Sequence, residues 1–105
     1  MSQFSVYKNR NAETKALYPM LLDVQSSLLD TLDTRMVIPL APASALKDKT
    51  LTTLTPVFEI ENKTWVMLTP QMAGIPHKAL GASVVNLADK RNEILAAIDF
   101  LISGF

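Results

Sequence analysis

The strongest pattern of hydrophobic and polar positions lies at the C-terminal end of the chain. Apolar side chains recur there at spacings of three, four and seven, which places them on one side of an α-helix. These positions are Leu87, Ile94, Leu95, Ile98, Leu101, Ile102 and Phe105. The pattern predicts a helix from near Asp89 almost to the end, with Asn86 as N-cap and Gly104 as C-terminal stop. Phe100 lies opposite the apolar side, so we expect it to be exposed.

In the rest of the chain, the apolar positions follow the shorter period of β-strands. The predicted strands are residues 3–7, 18–25, 35–41, 57–60 and 64–68. In the first strand, Phe4 and Val6 are expected on one side and Tyr7 on the other, with the polar residues. We expect the first two strands to pair as a hairpin, and Glu61-Asn62-Lys63 to form the turn of another. Trp65 should be half-buried beside that turn.

The segments between the predicted strands contain loops and two open assignments. Polar residues 8–15 suit a solvated loop, and residues 42–55 suit a long surface loop with room for one helical turn at 43–46. Residues 70–76 form either an irregular segment or a short strand. Residues 78–85 either extend that strand or bridge to the helix.

Residues 26–34 place two adjacent leucines, Leu28 and Leu29, among Ser, Asp and Thr. These polar side chains compete for backbone hydrogen bonds, so a connecting loop is favoured over a short helix. The residues alone favour packing of both leucines beneath the loop over their exposure to solvent.

The order of the elements, with strands first and a helix last, sets the expected fold class. We predict a β-rich (α+β) fold in which a small, bent antiparallel sheet or barrel is packed by one C-terminal α-helix. A chain of 105 residues with an apolar fraction of 49% suits one domain, residues 1–105, with a single core.

Composition excludes several classes of function. The chain has no cysteine, so it can form neither disulfides nor thiolate metal sites. Its net charge is zero, without a dense basic run, which argues against direct binding to nucleic acid. No apolar run is long enough for a bilayer span, and the N-terminal residues lack a signal-peptide pattern. We therefore expect a cytoplasmic protein.

Signals for catalysis are weak. His77 is the only histidine and has no evident partner, so a surface role is favoured over that of a base. No carboxylate pair has metal-site spacing, and three glycines do not make a phosphate loop. Arg35 could contact phosphate or form an ion pair with Asp30 or Asp33. The five methionines are expected to fill the core.

Several motifs, taken together and in order, resemble one protein family. The most specific are Asp23-Val-Gln-Ser26, followed by two apolar residues and Asp30-Thr31, and the run Arg35-Met-Val-Ile-Pro-Leu-Ala41. Further matching positions are Gln3-Phe4, Val6-Tyr7, Trp65, Met67, Thr69, Met72-Ala73, Pro76, Asn92, Ile94, Ala97-Ile98 and the apolar end around Gly104. This set resembles the CcdB family of toxins from toxin–antitoxin modules. The likeness runs nearly end to end, and only the loop 8–17 differs in length.

The resemblance implies an SH3-like barrel with a C-terminal helix, assembled as a two-fold homodimer. It also implies a toxin that is not an enzyme and needs no cofactor or metal. Such a toxin binds the A subunit of DNA gyrase, traps the gyrase–DNA cleavage complex and is neutralised by a CcdA-type antitoxin. By occupying a central gap of the gyrase dimer, it shifts populations toward a state in which DNA is cut and held.

The resemblance also nominates a gyrase-binding surface, built from the loop after the Asp-Val-Gln-Ser motif and from the helix end. Carried over by position, it comprises Ser26, Leu28, Leu29, Asp99, Ile102, Ser103, Gly104 and Phe105. This assignment replaces the expectation that the two leucines pack beneath their loop. The antitoxin is expected at residues 8–15 and 42–49, with overlap at the helix end.

One departure from the family pattern concerns the last residues. The pattern ends in Trp-Gly-Ile, whereas this chain ends in Ser103-Gly104-Phe105. The tryptophan that would stack on a gyrase arginine is therefore missing at Ser103. Either Phe105 or Phe100 compensates, or the affinity for gyrase is lower.

A second class of function shares the expected fold. MazF-like toxins are endoribonucleases with the same kind of barrel, and fold alone does not separate the two classes. An RNA-cleaving relative should combine clustered Arg and Lys residues with a paired acid and base. This chain lacks that combination, so the gyrase-directed reading is favoured.

Overall fold

The structure is a computed structural model that describes residues 2–45 and 53–104. Within these residues the strands are β1 (Ser5–Asn9), β2 (Met20–Asp23), β3 (Thr34–Pro42), β4 (Val57–Ile60), β5 (Lys63–Met67), β6 (Ala73–Pro76) and β7 (Leu80–Asn86). One α-helix, α1 (Arg91–Ser103), follows them. The strands pair in the order β4-β5-β3-β2-β1-β7, and β6 pairs with the first half of β3. Every pairing is antiparallel, and the sheet curls into a half-barrel, which confirms the predicted fold class.

The middle strands of the curled sheet, β1, β2 and β3, carry buried side chains on both faces. Val6 lies in the main core beneath α1, whereas Tyr7 packs on the opposite face. The main core comprises Phe4, Val6, Met20, Leu22, Ile38, Leu40, Phe58, Ile60, Trp65, Met67, Leu87, Ile94 and Ala97. The second cluster comprises Tyr7, Leu21, Val37 and Leu80. The expectation that Tyr7 lies on a polar face is wrong, because apolar neighbours from three other strands cover it there.

The hairpin predicted around residue 61 is confirmed. Glu61 and Asn62 have positive φ angles of 53° and 67° and join β4 to β5, which is the geometry of a type I′ turn. Trp65 follows this turn and is buried rather than half-buried. Its indole N–H has no hydrogen-bond partner among the described residues.

Changing Glu61 to Asn is expected to raise the free energy of unfolding by about 0.5–1 kcal/mol, because Asn tolerates the left-handed conformation better than Glu does. Thermal denaturation of the two proteins measures the effect. Glu59→Asn, a change of the same charge in the neighbouring strand, is the control and should not stabilise the protein. A lower unfolding temperature for Glu61→Asn would contradict the turn assignment.

The C-terminal helix is present, with its two ends partly as predicted. Gly104 ends it in the left-handed conformation at φ 77°, and its N–H donates to the Phe100 carbonyl. Asn86 does not cap α1 itself. Its side chain accepts a hydrogen bond from the Ala88 N–H at the start of a 3-10 turn (Ala88–Lys90), which continues into the helix.

The buried face of α1 is narrower than the periodicity predicts. Ile94 and Ala97 are fully buried, and the side chains that follow Ile98 do not belong to the core. Leu101 and Ile102, predicted on the buried face, are exposed. Phe100 was predicted to be exposed but is half-buried. Only the first part of the helix lies against the core. In the last turn, the side of the helix that was predicted to be buried faces solvent.

The remaining segments resolve the open assignments. Residues 70–76 contain the short strand β6, and residues 78–85 lie largely in β7, which pairs with β1 instead of extending β6. A 3-10 turn at Ala43–Ala45 confirms the helical turn expected in the long loop, while Leu46 and residues 47–52 lie outside the described residues. No helix among the described residues is long and apolar enough to cross a membrane.

Candidate functional site

The segment after β2 forms a short, hydrogen-bonded turn that presents two leucines. A 3-10 turn covers Ser27–Leu29, and Ser26 caps it by accepting the Leu28 N–H at 3.2 Å. The Leu29 N–H donates to the Ser26 carbonyl at 3.0 Å. Residues 26–30 are called the leucine turn below. Ser26 accepts hydrogen bonds from the backbone N–H groups of both Leu28 and Leu29. The turn is therefore stabilised locally, although no longer helix follows it.

The leucine turn exposes its apolar side chains. Leu28 is 93% exposed and Leu29 is 47% exposed. The residue-based expectation that they pack beneath the loop is therefore wrong. Leu32, whose N–H donates to the Leu29 carbonyl, is 48% exposed and enlarges the apolar surface. Met36, predicted as core filler, is also exposed. Adjacent exposed apolar side chains contribute little to folding and are typical of a surface that binds a partner.

Beneath the leucine turn, the Gln25 side chain links it to β3. The Gln25 amide donates to the Leu29 carbonyl at 3.1 Å and accepts the Met36 N–H at 2.9 Å. The Gln25 N–H donates to the Asp23 carboxylate at 3.0 Å. Gln25 is 9% exposed, so these bonds lie in a largely dry environment and are worth more than exposed ones.

A buried arginine holds the same turn from the other side. The Arg35 guanidinium lies 2.7 Å from the Asp23 carboxylate and 2.8 Å from that of Asp30. Asp23 and Arg35 are both buried, whereas Asp30 is 47% exposed. Burial alone would lower the pKa of Arg35, but the hydrogen bonds and charges of Asp30 and Asp23 outweigh it and raise the pKa above its usual value.

The structure decides between the roles considered for Arg35. The predicted ion pair with Asp30 is confirmed, and the one with Asp33 is wrong. Arg35 is 1% exposed, so it is not available to a phosphate. The stronger partner, Asp23, was missed because the pairing depends on strand register. Asp23 lies opposite Val37 in the β2–β3 ladder, which brings its carboxylate beside Arg35.

The helix end forms the second part of the expected surface. Asp99, Ile102, Ser103 and Gly104 are all exposed, and Ile102 is 73% exposed. The Ser103 hydroxyl donates to the Asp99 carbonyl at 2.7 Å, so it faces back along the helix. Phe105 lies outside the described residues. Ile102 therefore resembles Leu28, since both are large apolar side chains that are mostly exposed to solvent.

The structure groups the nominated residues into two sets on different elements. Ser26, Leu28 and Leu29 share the leucine turn, and Asp99, Ile102, Ser103 and Gly104 share the last turn of α1. The helix packs against the 3-10 turn at Thr69–Gln71 and makes no extensive contact with the leucine turn. Both sets are free of the core, so a partner can reach each of them.

The loop expected to meet the antitoxin borders an apolar cleft on the second face of the sheet. The cleft has a volume of about 210 Å³, and Leu21, Val37 and Ile75 are among the residues that line it. Asn9 and Thr14 also line it, and the Asn9 amide donates to the Thr14 hydroxyl at 3.0 Å. The second expected antitoxin segment, residues 42–49, is described only as far as Ala45.

Among the described residues, no three His, Asp or Glu side chains lie close enough to hold a metal ion. His77 is exposed in a 3-10 turn at the end of β6, and its backbone N–H donates to the Asp33 carbonyl. The exposed apolar side chains of the leucine turn and of the helix end favour recognition of a partner.

These features define a class: a small curled-sheet domain with a C-terminal helix and exposed apolar side chains at two places, the leucine turn and the helix end. The family model described as "CcdB protein" matches residues 3–104, and the chain belongs to the CcdB family. The family establishes a toxin of the toxin–antitoxin type. The resemblance seen in the Arg35–Ala41 run and in the motif before the leucine turn is thereby confirmed.

Proposed function

We propose that this protein is a toxin that binds the A subunit of DNA gyrase and traps the gyrase–DNA cleavage complex. The observation that carries the proposal is the near-complete exposure of Leu28 on a braced turn, at a position that the family resemblance assigns to gyrase binding. The toxin is not an enzyme, works in the cytoplasm as a homodimer, and needs no cofactor. A CcdA-type antitoxin neutralises it.

The free energy of burying apolar side chains favours a binding role for the exposed residues Leu28 and Ile102. Burying one Leu or Ile side chain on binding contributes roughly 1.5–3 kcal/mol. Leu28 contributes almost none of this to folding and Ile102 only a small part, since they are 93% and 73% exposed. The hydrogen bonds that hold the leucine turn should also increase the binding affinity, because little conformational entropy is lost when the partner binds.

The residue at position 103 affects the strength of this interaction. A serine supplies a much smaller contact than the tryptophan of the family pattern, and its hydroxyl already donates to the Asp99 carbonyl. The half-buried Phe100 is not free to replace that contact. We therefore propose that Leu28 and Ile102 carry a larger share of the gyrase affinity here than in relatives that keep the tryptophan.

We place the antitoxin on the loops at residues 8–15 and 42–49. The apolar cleft bordered by Asn9 and Thr14 gives the first loop a place for an apolar side chain of the antitoxin. The neighbouring hollow is lined by Arg10 and Lys78 and favours an acidic segment next to it. No observation favours the MazF-like endoribonuclease alternative.

The test is a supercoiling and DNA-cleavage assay with purified gyrase, run beside an RNA-cleavage assay. We expect inhibition of supercoiling and accumulation of cleaved DNA, with RNA left intact. The truncated chain without residues 103–105 should lose both effects on gyrase, because the family resemblance assigns Ser103, Gly104 and Phe105 to the gyrase-binding surface.

The control for the truncation is its thermal denaturation, which should remain cooperative because Ser103 and Gly104 are exposed and lie outside the core. RNA cleavage without any effect on gyrase would reverse the ranking of the two functions. Full activity of the truncated chain would remove residues 103–105 from the binding surface.

A further inference from the structure

The leucine turn keeps its apolar side chains in water although collapse onto the protein would bury them. Leu28 is 93% exposed, and the hydrophobic effect favours any conformation of the turn that covers it. Something in the structure must therefore hold the turn outward. Its own 3-10 hydrogen bonds are local and do not fix its orientation relative to the sheet.

Two side chains tie the turn to the sheet at separate points. The Asp30 carboxylate accepts from the Arg35 guanidinium at 2.8 Å, after the last leucine. The Gln25 amide donates to the Leu29 carbonyl at 3.1 Å, from below. Both ties end on β3, through Arg35 and through the Met36 N–H that Gln25 accepts. Two anchors at different positions remove the rotation that a single anchor would leave.

Arg35 is suited to anchor the turn because its side chain is buried and bonded to several groups. Its guanidinium is buried, bonded to Asp23 through Nε at 2.9 Å, and it donates to the Gln25 carbonyl at 3.5 Å. The planar fork therefore directs its Nη1 group outward to Asp30. Asp30 is 47% exposed, so its pair with Arg35 is a weak contribution to folding stability. A positional role explains the arrangement better than a stabilising one.

We propose that Asp30, bonded to the buried Arg35, and Gln25, bonded to the Met36 N–H of β3, are positioning residues that hold the leucine turn in the conformation that presents Leu28 to the gyrase A subunit. This inference rests on the proposed function. Asp30 and Gln25 act through the leucine and need not touch gyrase themselves.

The experiment compares Asp30→Ala with Asp30→Asn, whose amide oxygen still accepts from Arg35. For binding to a gyrase A fragment, we expect a loss of about tenfold for Asp30→Ala and recovery of most of it by Asp30→Asn. Asp33→Ala is the matched control, because Asp33 carries the same charge and makes no ion pair among the described residues. The unfolding temperature of Asp30→Ala should fall by less than about 8 °C.

A double-mutant cycle separates positioning from a direct contact. In a Leu28→Ala background, Asp30→Ala should weaken binding by less than about twofold, because the side chain through which it acts is gone. A full tenfold effect in that background would overturn the proposal.

Amide hydrogen exchange tests the positioning role without gyrase. The Leu29 N–H, bonded to the Ser26 carbonyl, should exchange faster in Asp30→Ala and unchanged in Asp33→Ala. An unchanged rate in Asp30→Ala overturns the positioning role. Failure of the unaltered protein to bind the gyrase fragment overturns the proposed function instead, so the two failures are distinguishable.

Discussion

Changing Leu28 to Asp is expected to weaken binding to the gyrase A subunit by at least about a hundredfold. The substitution removes a leucine from the interface and places a carboxylate there, which must then be desolvated without a partner. Leu28 is 93% exposed in the free protein, so the free energy of unfolding should change by no more than about 0.5 kcal/mol. Titration calorimetry with a gyrase A fragment and thermal denaturation measure the two quantities.

Leu17 provides a matched control for this substitution. It is 67% exposed and precedes β2, whereas Leu28 follows β2, so the two leucines lie beyond opposite ends of the same strand. Leu17→Asp makes the same chemical change and should leave gyrase binding within about twofold, the range of an uninvolved surface site. Equal losses for both variants would indicate a general effect of charge, and the leucine turn would lose its special role.

The parts of the fold that follow from local chemistry were predictable. The β4–β5 turn needs positive φ angles, and Asn62 with its neighbours signals that requirement in the sequence. Gly104 signals the end of α1 for the same reason. The Arg35–Ala41 run predicted β3 because its apolar, β-branched residues suit a strand buried on both faces.

The parts that depend on distant packing were not predictable. β7 carries Gly81, Ala82 and Ser83 and gives no alternating signal, and it becomes a strand because β1 pairs with it. Helical periodicity placed Leu101 and Ile102 on the buried face, yet periodicity does not say where the core beneath a helix ends. That position is set by the sheet and by the turn at Thr69–Gln71.

The candidate site divides in the same way. Leucine side chains are usually buried, so residue chemistry alone predicted incorrectly that Leu28 is covered. Only the family resemblance predicted its exposure. Gln25 was missed as a brace, although the Asp23-Val-Gln-Ser26 motif contained it. The polar residues of this motif could have indicated its role, because buried polar side chains require hydrogen-bond partners. Gln25 and Arg35 both make such bonds.

Changing Asp23 to Ala is expected to reduce the free energy of unfolding by about 3–5 kcal/mol, because it leaves the buried Arg35 with only a half-exposed partner. For a domain of this size, that corresponds to a drop in unfolding temperature of at least about 12 °C. The Gln25 N–H also loses its acceptor. Thermal or urea denaturation measures the loss, and Asp33→Ala should change stability by no more than about 0.5 kcal/mol.

Replacing both partners distinguishes stability from positioning. In the double variant Asp23→Leu with Arg35→Met, no buried charge is left unpaired, so much of the lost stability should return. The same variant removes the guanidinium that holds Asp30 and the Gln25 carbonyl, so we expect it to bind gyrase more weakly than the unaltered protein although the fold has recovered. A double variant as unstable as Asp23→Ala alone would mean that the hydrogen bonds around Gln25 dominate, and not the ion pair. A double variant that binds gyrase normally would show that the leucine turn needs no anchor on β3.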